Sequence, residues 1–572
     1  MARPSVTPRG LAVARGDEPA DLLLTGGRLF VPSIRDWVNT SIAIADGCVV
    51  GWGDRDAREV RDLGGAAVTP AFVDAHMHLE STKLWIDEFV RAVLPHGTTA
   101  VAADPHEIAN VFGIPGVAAL IESAKSMPFH FGVCASSCVP ASPFESSGAE
   151  LGHADVTELL DSFGAIGVAE VMNFPGVIGG DPEMLARIAA AGTRRVDGHA
   201  PGLTGQLLDA YLAAGVESDH ECTMLAEARE KRMKGMWVFI RQGSASKNLN
   251  ELIPIALEHG TDLLAFCTDD REPDTLRSVG HINDCARLAV AAGVSEADAI
   301  IMASTNPADY HGFTHLGHLA PGYQADLCVF DSLQTWEPSL VFQRGQLVAE
   351  SGNVVAEMVP DAPAPDWMKH SIHLDVSVNA NDLHIEMPAH GQLRVIGITE
   401  GSLTTEHRLV DTGNLPTDLA RIGCVERHRR TGRVGLGFVS GFGLQRGALA
   451  STVAHDAHNC MVVGAVDSSG PAEMAAGINR LREIGGGQVV MLEGKVLAEV
   501  RLPIGGLMSD RRAAEVADEI EAVVAAGRML GISLEAPFMQ LSFLGLSVIP
   551  QLRITDKGLV DVDRFELTGL QV

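Results

Sequence analysis

Between residues 71 and 268 the sequence repeats one pattern, in which a short apolar run ends in polar or charged residues and a helix-like stretch follows. Eight such runs are candidate strands: Ala71–Ala75, Thr98–Ala103, His130–Ala135, Ala165–Ala169, Arg195–Gly198, Gly215–Ser218, Met236–Arg241 and Leu263–Thr268. Eight strands alternating with helices are typical of a (β/α)8 TIM-like barrel, although a doubly wound parallel sheet gives a similar pattern. The sequence therefore predicts an α/β fold with a barrel.

Shorter strand signals flank this region on both sides. Residues 22–70 and 319–360 contain apolar runs separated by glycine-rich turns, and the simplest topology joins the two segments in one small β-sandwich. Residues 71–318 then form the barrel. A proline-rich hinge at 361–366 precedes residues 367–572, which mix strand-like and helix-like patterns and are predicted to form an additional C-terminal α+β domain.

The charge balance excludes several classes of partner. The chain has 73 acidic residues against 43 Lys and Arg, a formal net charge of −30, whereas nucleic acids and anionic membranes attract basic surfaces. The start of the chain, Met1–Asp21, is polar and lacks the apolar core of a secretory signal, and no run reaches the roughly 18 apolar residues of a spanning helix. We therefore expect a cytoplasmic protein with a loosely held N-terminus.

Metal-ligand residue types stand at the ends of several predicted barrel strands. His76 and His78 end the first strand, and because alternate residues of a strand point the same way, both imidazoles can face the barrel mouth. Any one such residue has an ordinary explanation, but their joint occurrence on successive strands argues against coincidence. Four His and two carboxylates suit two divalent cations bridged by a carboxylate and a hydroxide. The remaining four candidates are Glu170, His199, His220 and Asp269.

The order of these residues resembles a known superfamily. His-x-His after the first strand, then an acidic bridging position, His, His and Asp is the ordered pattern of the amidohydrolases. The surrounding segments are similar to those of the bacterial adenine deaminases within that superfamily, from about residue 22 to the C-terminus and including an extra domain that most amidohydrolases lack. They include VDAHMHLES (73–81), ADPHEIANV (103–111), EVMNFPGV (170–177), DGHAPGL (197–203), CTDDR (267–271), VAHDAHN (453–459) and LPIGGLMSD (502–510).

The resemblance implies hydrolytic deamination of adenine to hypoxanthine and ammonia by a metal-activated hydroxide, in purine salvage or adenine catabolism. It implies a binuclear centre of Mn²⁺ or Fe²⁺, with Zn²⁺ as a further candidate. Glu170 would bridge the two ions, and Asp269 would take a proton from the attacking water and pass it on as ammonia leaves. The more buried ion would bind His76, His78 and Asp269, and the other ion His199 and His220.

Further residues near the strand ends are candidates for contact with the substrate. Asp104, His106 and Glu107 follow the second strand and are expected to overhang the site, where His106 or Glu107 hydrogen-bonds the purine or relays protons. A capping or loop-fixing role is an equal alternative for this segment. Asn173 follows the fourth strand and is a candidate for shaping the purine pocket. Arg241 ends the seventh strand and either anchors a polar ring atom or forms a salt bridge with the acidic rim.

Two features of the sequence leave their roles open. The cluster His455, Asp456 and His458 either reaches a metal, or covers the active site of the same or a neighbouring subunit, or forms a buried hydrogen-bond network at a domain interface, which is the favoured interpretation. Glu272 departs from the family pattern, where a His is usual. This departure bears on rim contacts or substrate range and on none of the six proposed ligands.

Two other functions compete with adenine deamination. The same metal centre serves amidohydrolases that act on another purine or open a cyclic amide, because both reactions add hydroxide to a planar electrophilic carbon. A catalytically inactive scaffold is the third hypothesis, although such a relative would be expected to have lost ligands. The zinc deaminase signature with Pro-Cys-x-x-Cys is absent from the sequence. We expect a homo-oligomer, a dimer or higher, with adenine as the small-molecule substrate.

Overall fold

Eight parallel strands form a closed barrel in the computed structural model, which describes residues 7–374, 377–399 and 402–572. The barrel closes between its last and first strands, where the Asp269 amide donates to the His76 carbonyl (3.0 Å) and the His78 amide donates to the Asp269 carbonyl (3.2 Å). The predicted fold class is confirmed. The strands are Phe72–Met77, Thr98–Ala103, His130–Val133 continued by Ala135–Ser136, Gly167–Val171, Arg195–Gly198, Ser218–Asp219, Trp237–Arg241 and Leu264–Cys267.

The strand bounds differ from the predicted ones mainly at the carboxyl ends. The first strand continues through His76 to Met77, and the fourth continues through Glu170 to Val171. Both extensions consist of buried residues, polar ones included, so hydropathy alone ends these strands too early. The sixth strand shrinks to Ser218–Asp219, and the amide of Glu217 still bonds the Val196 carbonyl (2.9 Å) to keep the barrel wall continuous.

Helices pack around the outside of the barrel, as the alternating pattern requires. A π-helical turn at Ile301–Thr305 joins the last two of them. The helices are Ile86–Val93, His106–Phe112, Ile114–Ala124, His153–Asp161, Phe174–Ile178, Pro182–Ala190, Gly205–Ala213, Leu225–Met233, Leu249–Leu252, Pro254–His259, Pro273–Val279, Ile282–Ala291, Glu296–Ile300 and Asn306–Tyr310.

Segments before and after the barrel build a small two-sheet sandwich. Strand Ala67–Pro70 pairs antiparallel with Leu327–Phe330 and so joins the two segments. Leu22, Ile44, Val68, Leu327 and Phe342 share one buried core between the sheets. In spatial order, the four-stranded sheet contains Cys48–Trp52, Ile42–Ala45, Ala20–Thr25 and Ala57–Asp62, and the seven-stranded sheet contains Asn353–Val354, Gln346–Glu350, Leu340–Gln343, Leu327–Phe330, Ala67–Pro70, Arg28–Val31 and Asp36–Asn39.

The N-terminus is more ordered than the sequence predicts. Thr7 caps helix Pro8–Arg15, accepting a hydrogen bond from the Gly10 amide. Val13 of that helix is fully buried, and Arg9 pairs with Asp21. The prediction of a loose start is therefore wrong from residue 7 onward, while residues 1–6 lie outside the described residues. No helix within the described ranges is long and apolar enough to cross a membrane.

The C-terminal region forms an α+β domain around an eight-stranded sheet. Helix Gly470–Ile484 buries Met474, Ile478 and Leu481, which lie on one face at helical spacing, against this sheet. Helices Ala513–Met529 and Pro537–Phe543 and a three-stranded sheet of Leu552–Thr555, Gly558–Asp561 and Glu566–Thr568 complete it. In spatial order, the large sheet contains Thr405–Asp411, Gln392–Ile398, Val434–Ser440, Ala420–Val425, Cys460–Ala465, Ala448–Ser451, Gly487–Leu492 and Lys495–Arg501.

This domain packs directly on the barrel loops. Asp556 accepts hydrogen bonds from the amide (2.9 Å) and the hydroxyl (2.7 Å) of Ser146, and Ser547 bonds Ser142 (2.7 Å). All four side chains are buried. The C-terminal domain therefore lies against the barrel through paired, water-excluded polar groups.

Candidate active site

The six predicted ligands meet at the end of the barrel that the C-terminal domain covers. Each comes from the last residues of a barrel strand or from the first residues after it. All are buried, none with more than 4% of its surface exposed. They are His76, His78, Glu170, His199, His220 and Asp269.

Glu170 lies at the centre of this group. Its Oε2 is 2.7 Å from His220 Nε2, 3.2 Å from His199 Nδ1 and 3.5 Å from His76 Nε2. Its Oε1 is 4.0 Å from His78 Nε2. One carboxylate therefore reaches every histidine of the set, as the predicted bridging position requires.

His76, His78 and Asp269 form the second part of the group. His76 Nε2 and His78 Nε2 are 3.3 Å apart, and His78 Nε2 is 3.2 Å from Asp269 Oδ1. Two ligands bound to one ion at about 2.1 Å are roughly 3.4 Å apart in tetrahedral geometry. These separations are therefore those of ligands that share a cation.

The hydrogen bonding around these residues fits a metal centre. Glu170 Oε2 and both ring nitrogens of His199 and of His220 are buried and have no hydrogen-bond partner, a costly state for polar atoms. His78 places Nδ1 2.9 Å from the Asp104 carbonyl, which leaves Nε2 to face the group. A second hydrogen bond of this kind orients metal-binding histidines. The residues present therefore fit a pair of divalent cations.

The two carboxylates of the group are held ionised. Burial opposes charge on Glu170, yet His199 and His220 beside it hold the pKa of its carboxyl well below the ordinary value. Burial likewise opposes charge on Asp269, but the Arg241 guanidinium and the hydrogen bond with His78 hold its pKa well below the usual range. Both side chains are therefore charged at neutral pH.

A buried ion-pair network fixes Asp269 in place. Arg241 is 1% exposed and contacts both Asp269 Oδ2 and Glu221, to which its Nη2 donates at 2.9 Å. The salt-bridge alternative predicted for Arg241 is thus the one seen in the structure, and Arg241 is not among the described residues that line the cavity. Sequence reasoning missed Glu221, because this residue follows His220 directly in the chain and only the fold turns both side chains inward.

Replacing Arg241 with Gln should destabilise the fold strongly. Removing one partner of a buried ion pair leaves an uncompensated charge and costs about 3–5 kcal/mol. Unfolding in urea of the metal-free protein measures this loss. Arg277 is a matched control because it pairs with Asp518 and Glu521 at the surface, where Arg277→Gln should cost less than about 1 kcal/mol. Equal stability losses in the two variants would contradict the role assigned to Arg241.

The structure brings His106 to the cavity and places Asp104 behind it. His106 Nδ1 donates to Asp104 Oδ2 (3.0 Å), and the same oxygen accepts the Glu170 amide (2.6 Å). Ser136 donates to the other oxygen (2.6 Å). Asp104 therefore accepts three hydrogen bonds from the protein and orients both His106 and the backbone of Glu170.

Glu107 is not among the described residues that line the cavity, and it contacts the C-terminal domain. Its Oε1 accepts the Ser81 hydroxyl (3.1 Å) and is 3.2 Å from His455 Nδ1, while its Oε2 is 3.5 Å from His458 Nε2. His458 Nδ1 accepts the Ala454 amide (3.0 Å). The cluster that the sequence singled out is thus divided: His458 belongs to an interface network, whereas His455 and Asp456 line the cavity.

Two further residues of interest lie outside the described lining of the cavity. Asn173 caps helix Phe174–Ile178 by accepting the Gly176 amide at 3.0 Å. Glu272, where the family pattern has a His, forms a buried ion pair with Lys83. Both residues hold the rim in shape, and contact of Asn173 with a substrate stays a prediction.

A small, partly open cavity lies over the ligand group, and four of the six ligands line it: His78, Glu170, His199 and Asp269. Barrel residues form its floor, and the C-terminal domain forms an apolar wall that the sequence alone did not reveal. Nothing in the local pattern marks these wall residues, since they look like ordinary core positions until the domains meet. They are Leu403, Phe543, Leu546 and Ile549.

Known proteins share both parts of this arrangement. Residues 67–359 match the model of the amidohydrolase family, and residues 399–566 match that of the adenine deaminase C-terminal domain. The chain is 43% identical to an adenine deaminase of Desulfatibacillum aliphaticivorans, over 98% of this chain and 99% of that protein. It is 40% identical to adenine deaminase 2 of Carboxydothermus hydrogenoformans, over 98% of each. The chain therefore belongs to the adenine deaminase family of the amidohydrolases.

Proposed function

We propose that this chain deaminates adenine by hydrolysis and releases hypoxanthine and ammonia. One observation carries the proposal: six buried ligand-type residues converge beneath a small cavity, one side of which is formed by the domain characteristic of adenine deaminases. Relatives named adenine deaminase match over nearly the whole chain. Water adds to the ring carbon that carries the exocyclic amine, and the amine leaves as ammonia.

Two divalent cations are proposed to complete the site, Mn²⁺ or Fe²⁺, with Zn²⁺ as a further candidate. When bound, such ions lower the pKa of water from 15.7 to about 7 and so provide hydroxide at neutral pH. Glu170 would bind both ions, since its carboxylate reaches all four histidines. One ion would be held by His76, His78 and Asp269, and the other by His199 and His220.

The chain's own groups handle the proton and the substrate. Asp269 takes a proton from the attacking water at a carboxylate oxygen and returns it to the departing amine. Arg241 holds this carboxylate in one orientation through its contact with Oδ2. The apolar wall packs against the flat base and excludes bulk water, which strengthens the electrostatic interactions inside the cavity.

The chemistry of the cavity favours a neutral base over a nucleotide. Five carboxylates line it: Glu170, Glu221, Asp269, Asp270 and Asp456. Among its described lining residues there is no Lys or Arg. Apart from the proposed cations and the histidines, a phosphate would meet carboxylates there, whereas an uncharged purine offers N–H groups that carboxylates accept.

Turnover of adenine by metal-loaded protein tests the proposal. We expect stoichiometric hypoxanthine and ammonia from adenine, and no product from hydantoin or dihydroorotate, which represent the alternative of cyclic-amide hydrolysis. Removing metal with a chelator should abolish turnover, and Mn²⁺ or Fe²⁺ should restore it. Metal-replete protein that leaves adenine unchanged would overturn the proposal.

Replacing Phe543 with Leu should weaken binding of adenine more than it slows chemistry. The Phe543 ring lines the cavity and is 2% exposed, and an aromatic contact contributes about 0.5–1.5 kcal/mol beyond burial. We expect KM to rise about 3- to 10-fold with little change in kcat. Phe565→Leu is the control, since Phe565 belongs to the same domain as Phe543 but contacts Phe144 of the barrel, outside the described cavity lining. Unchanged KM in Phe543→Leu would remove this ring from the substrate site.

The assembly and the location of the protein stay predictions. We propose a homo-oligomer, a dimer or higher, which light scattering of the metal-loaded protein measures directly.

A further inference from the structure

Asp456 is a cavity carboxylate that belongs to the C-terminal domain and is none of the six proposed metal ligands. It lies in the loop before strand Cys460–Ala465 and is 2% exposed. Its Oδ1 is 3.4 Å from His106 Nε2 and 3.9 Å from His455 Nδ1, while its Oδ2 has no hydrogen-bond partner. A buried carboxylate oxygen thus faces the cavity without a donor.

His106 lies between this carboxylate and Asp104. Its Nδ1 donates to Asp104 Oδ2 at 3.0 Å, and its Nε2 is 3.4 Å from Asp456 Oδ1. The row Asp104, His106, Asp456 therefore presents a carboxylate acceptor to the cavity, oriented from behind by a residue of the barrel.

A ligand can supply the donor that Asp456 Oδ2 lacks. Leaving a charged group unpaired in a buried site costs more than leaving a neutral one, and the described lining contains no Lys, Arg, Ser, Thr, Asn or Gln to donate to it. A free purine carries one ring N–H, on N7 or N9 of its five-membered ring. A purine substituted at N9, as in a nucleoside, carries no ring N–H in either form.

We propose that Asp456 binds the substrate by accepting the ring N–H of a free purine base, with His106 as its positioning residue. This inference rests on the proposed function. Asp456 thereby makes the C-terminal domain a determinant of specificity: it selects the free base over N9-substituted purines. Asp456 takes no part in proton transfer to the amine, and its contribution is to binding.

The ratio of two affinities tests this assignment. Calorimetry of the metal-loaded protein compares purine, which has a ring N–H, with 9-methylpurine, which has none. Wild type should bind purine roughly 10- to 100-fold more tightly than 9-methylpurine, because hydrogen bonds to charged groups are strong. In Asp456→Asn, which has the same shape, this ratio should fall about 10-fold while the affinity for 9-methylpurine stays constant. KM for adenine should rise and kcat should change less than about threefold.

Asp556→Asn is the matched control. Asp556 is a buried carboxylate of the same domain at the same interface, bonded to Ser146 and outside the described cavity lining, so its variant should keep the wild-type ratio. An unchanged ratio of the two affinities in Asp456→Asn overturns the inference. So does a wild-type protein whose affinities for purine and 9-methylpurine lie within threefold of each other, and this second outcome does not depend on the folding of the variant. If the wild-type protein does not turn over adenine, the proposed function is wrong instead, because the affinity ratio is measured without turnover.

Discussion

Replacing Glu170 with Gln should remove bound metal and adenine turnover together. Glu170 is the one carboxylate within 4.0 Å of all four histidines of the site. An amide carries no negative charge, so the four imidazoles would lose the anion that offsets two bound cations. Metals contribute several kcal/mol of transition-state stabilisation, and each 1.36 kcal/mol is tenfold in rate. We therefore expect turnover to fall by about 1,000-fold or more, measured as ammonia release beside elemental analysis.

Glu145→Gln is the matched control for this change. Glu145 is also a buried glutamate, but burial raises its pKa to about 8, so at neutral pH the substitution removes almost no charge. It accepts the Ser547 hydroxyl (3.1 Å), and a glutamine oxygen can do the same. The control should keep two metal ions per chain and wild-type turnover. Full metal content in Glu170→Gln would show that this residue does not bridge the ions.

The barrel and its ligands could be predicted from the sequence because both follow local rules. Apolar runs alternate with helices regardless of what they contact, and side chains at the carboxyl ends of barrel strands meet at one rim. Spacing therefore indicated that His76 and His78 share one face, and strand position indicated that all six ligands meet at one rim. The order of ligand types along the chain then gave the resemblance to a family.

The rest of the site depends on contacts between distant segments. Arg241 and Glu221 are 20 residues apart and pair with each other only because adjacent strands turn both inward. Phe543 and Asp456 look like core and network residues in sequence, and become cavity wall only when the C-terminal domain packs on the barrel. Of the segment Asp104, His106 and Glu107, only His106 is among the described lining residues. Hydropathy and spacing carry no information on such long-range pairing.

The enclosing role of the C-terminal domain explains why the site needs it. A barrel mouth is open to water, where charges are screened and a small flat base has few surfaces to contact. Here the described lining includes Leu403, Phe543, Leu546 and Ile549 opposite the carboxylates. The domain therefore supplies both the apolar contact for the base and the low-dielectric surroundings that strengthen the ionic groups beneath it.

Replacing Asp269 with Asn should slow turnover far more than it lowers metal content. The amide keeps the shape of the side chain and one of the two oxygens that face His78 and Arg241, but it no longer takes up a proton. Asp269 has a φ of +56°, in the left-handed region that Asn adopts more readily than most residues, so the backbone should stay in place. General acid–base catalysis contributes about 10²- to 10⁴-fold. We expect kcat for adenine to fall by that factor, with at least one metal ion per chain retained.

The control for Asp269→Asn has to be a buried aspartate at the same rim. Asp197 lies near the end of the fifth strand and accepts the Tyr310 hydroxyl (2.6 Å), and burial raises its pKa to about 7. Asp197 carries much less charge than Asp269 and does not line the described cavity, so Asp197→Asn should keep kcat within about fivefold of the wild-type value. Two results would refute the proton-transfer role of Asp269. One is near-wild-type kcat in Asp269→Asn, and the other is an equal loss in both variants, because only Asp269 is placed to exchange a proton with the reacting water and amine.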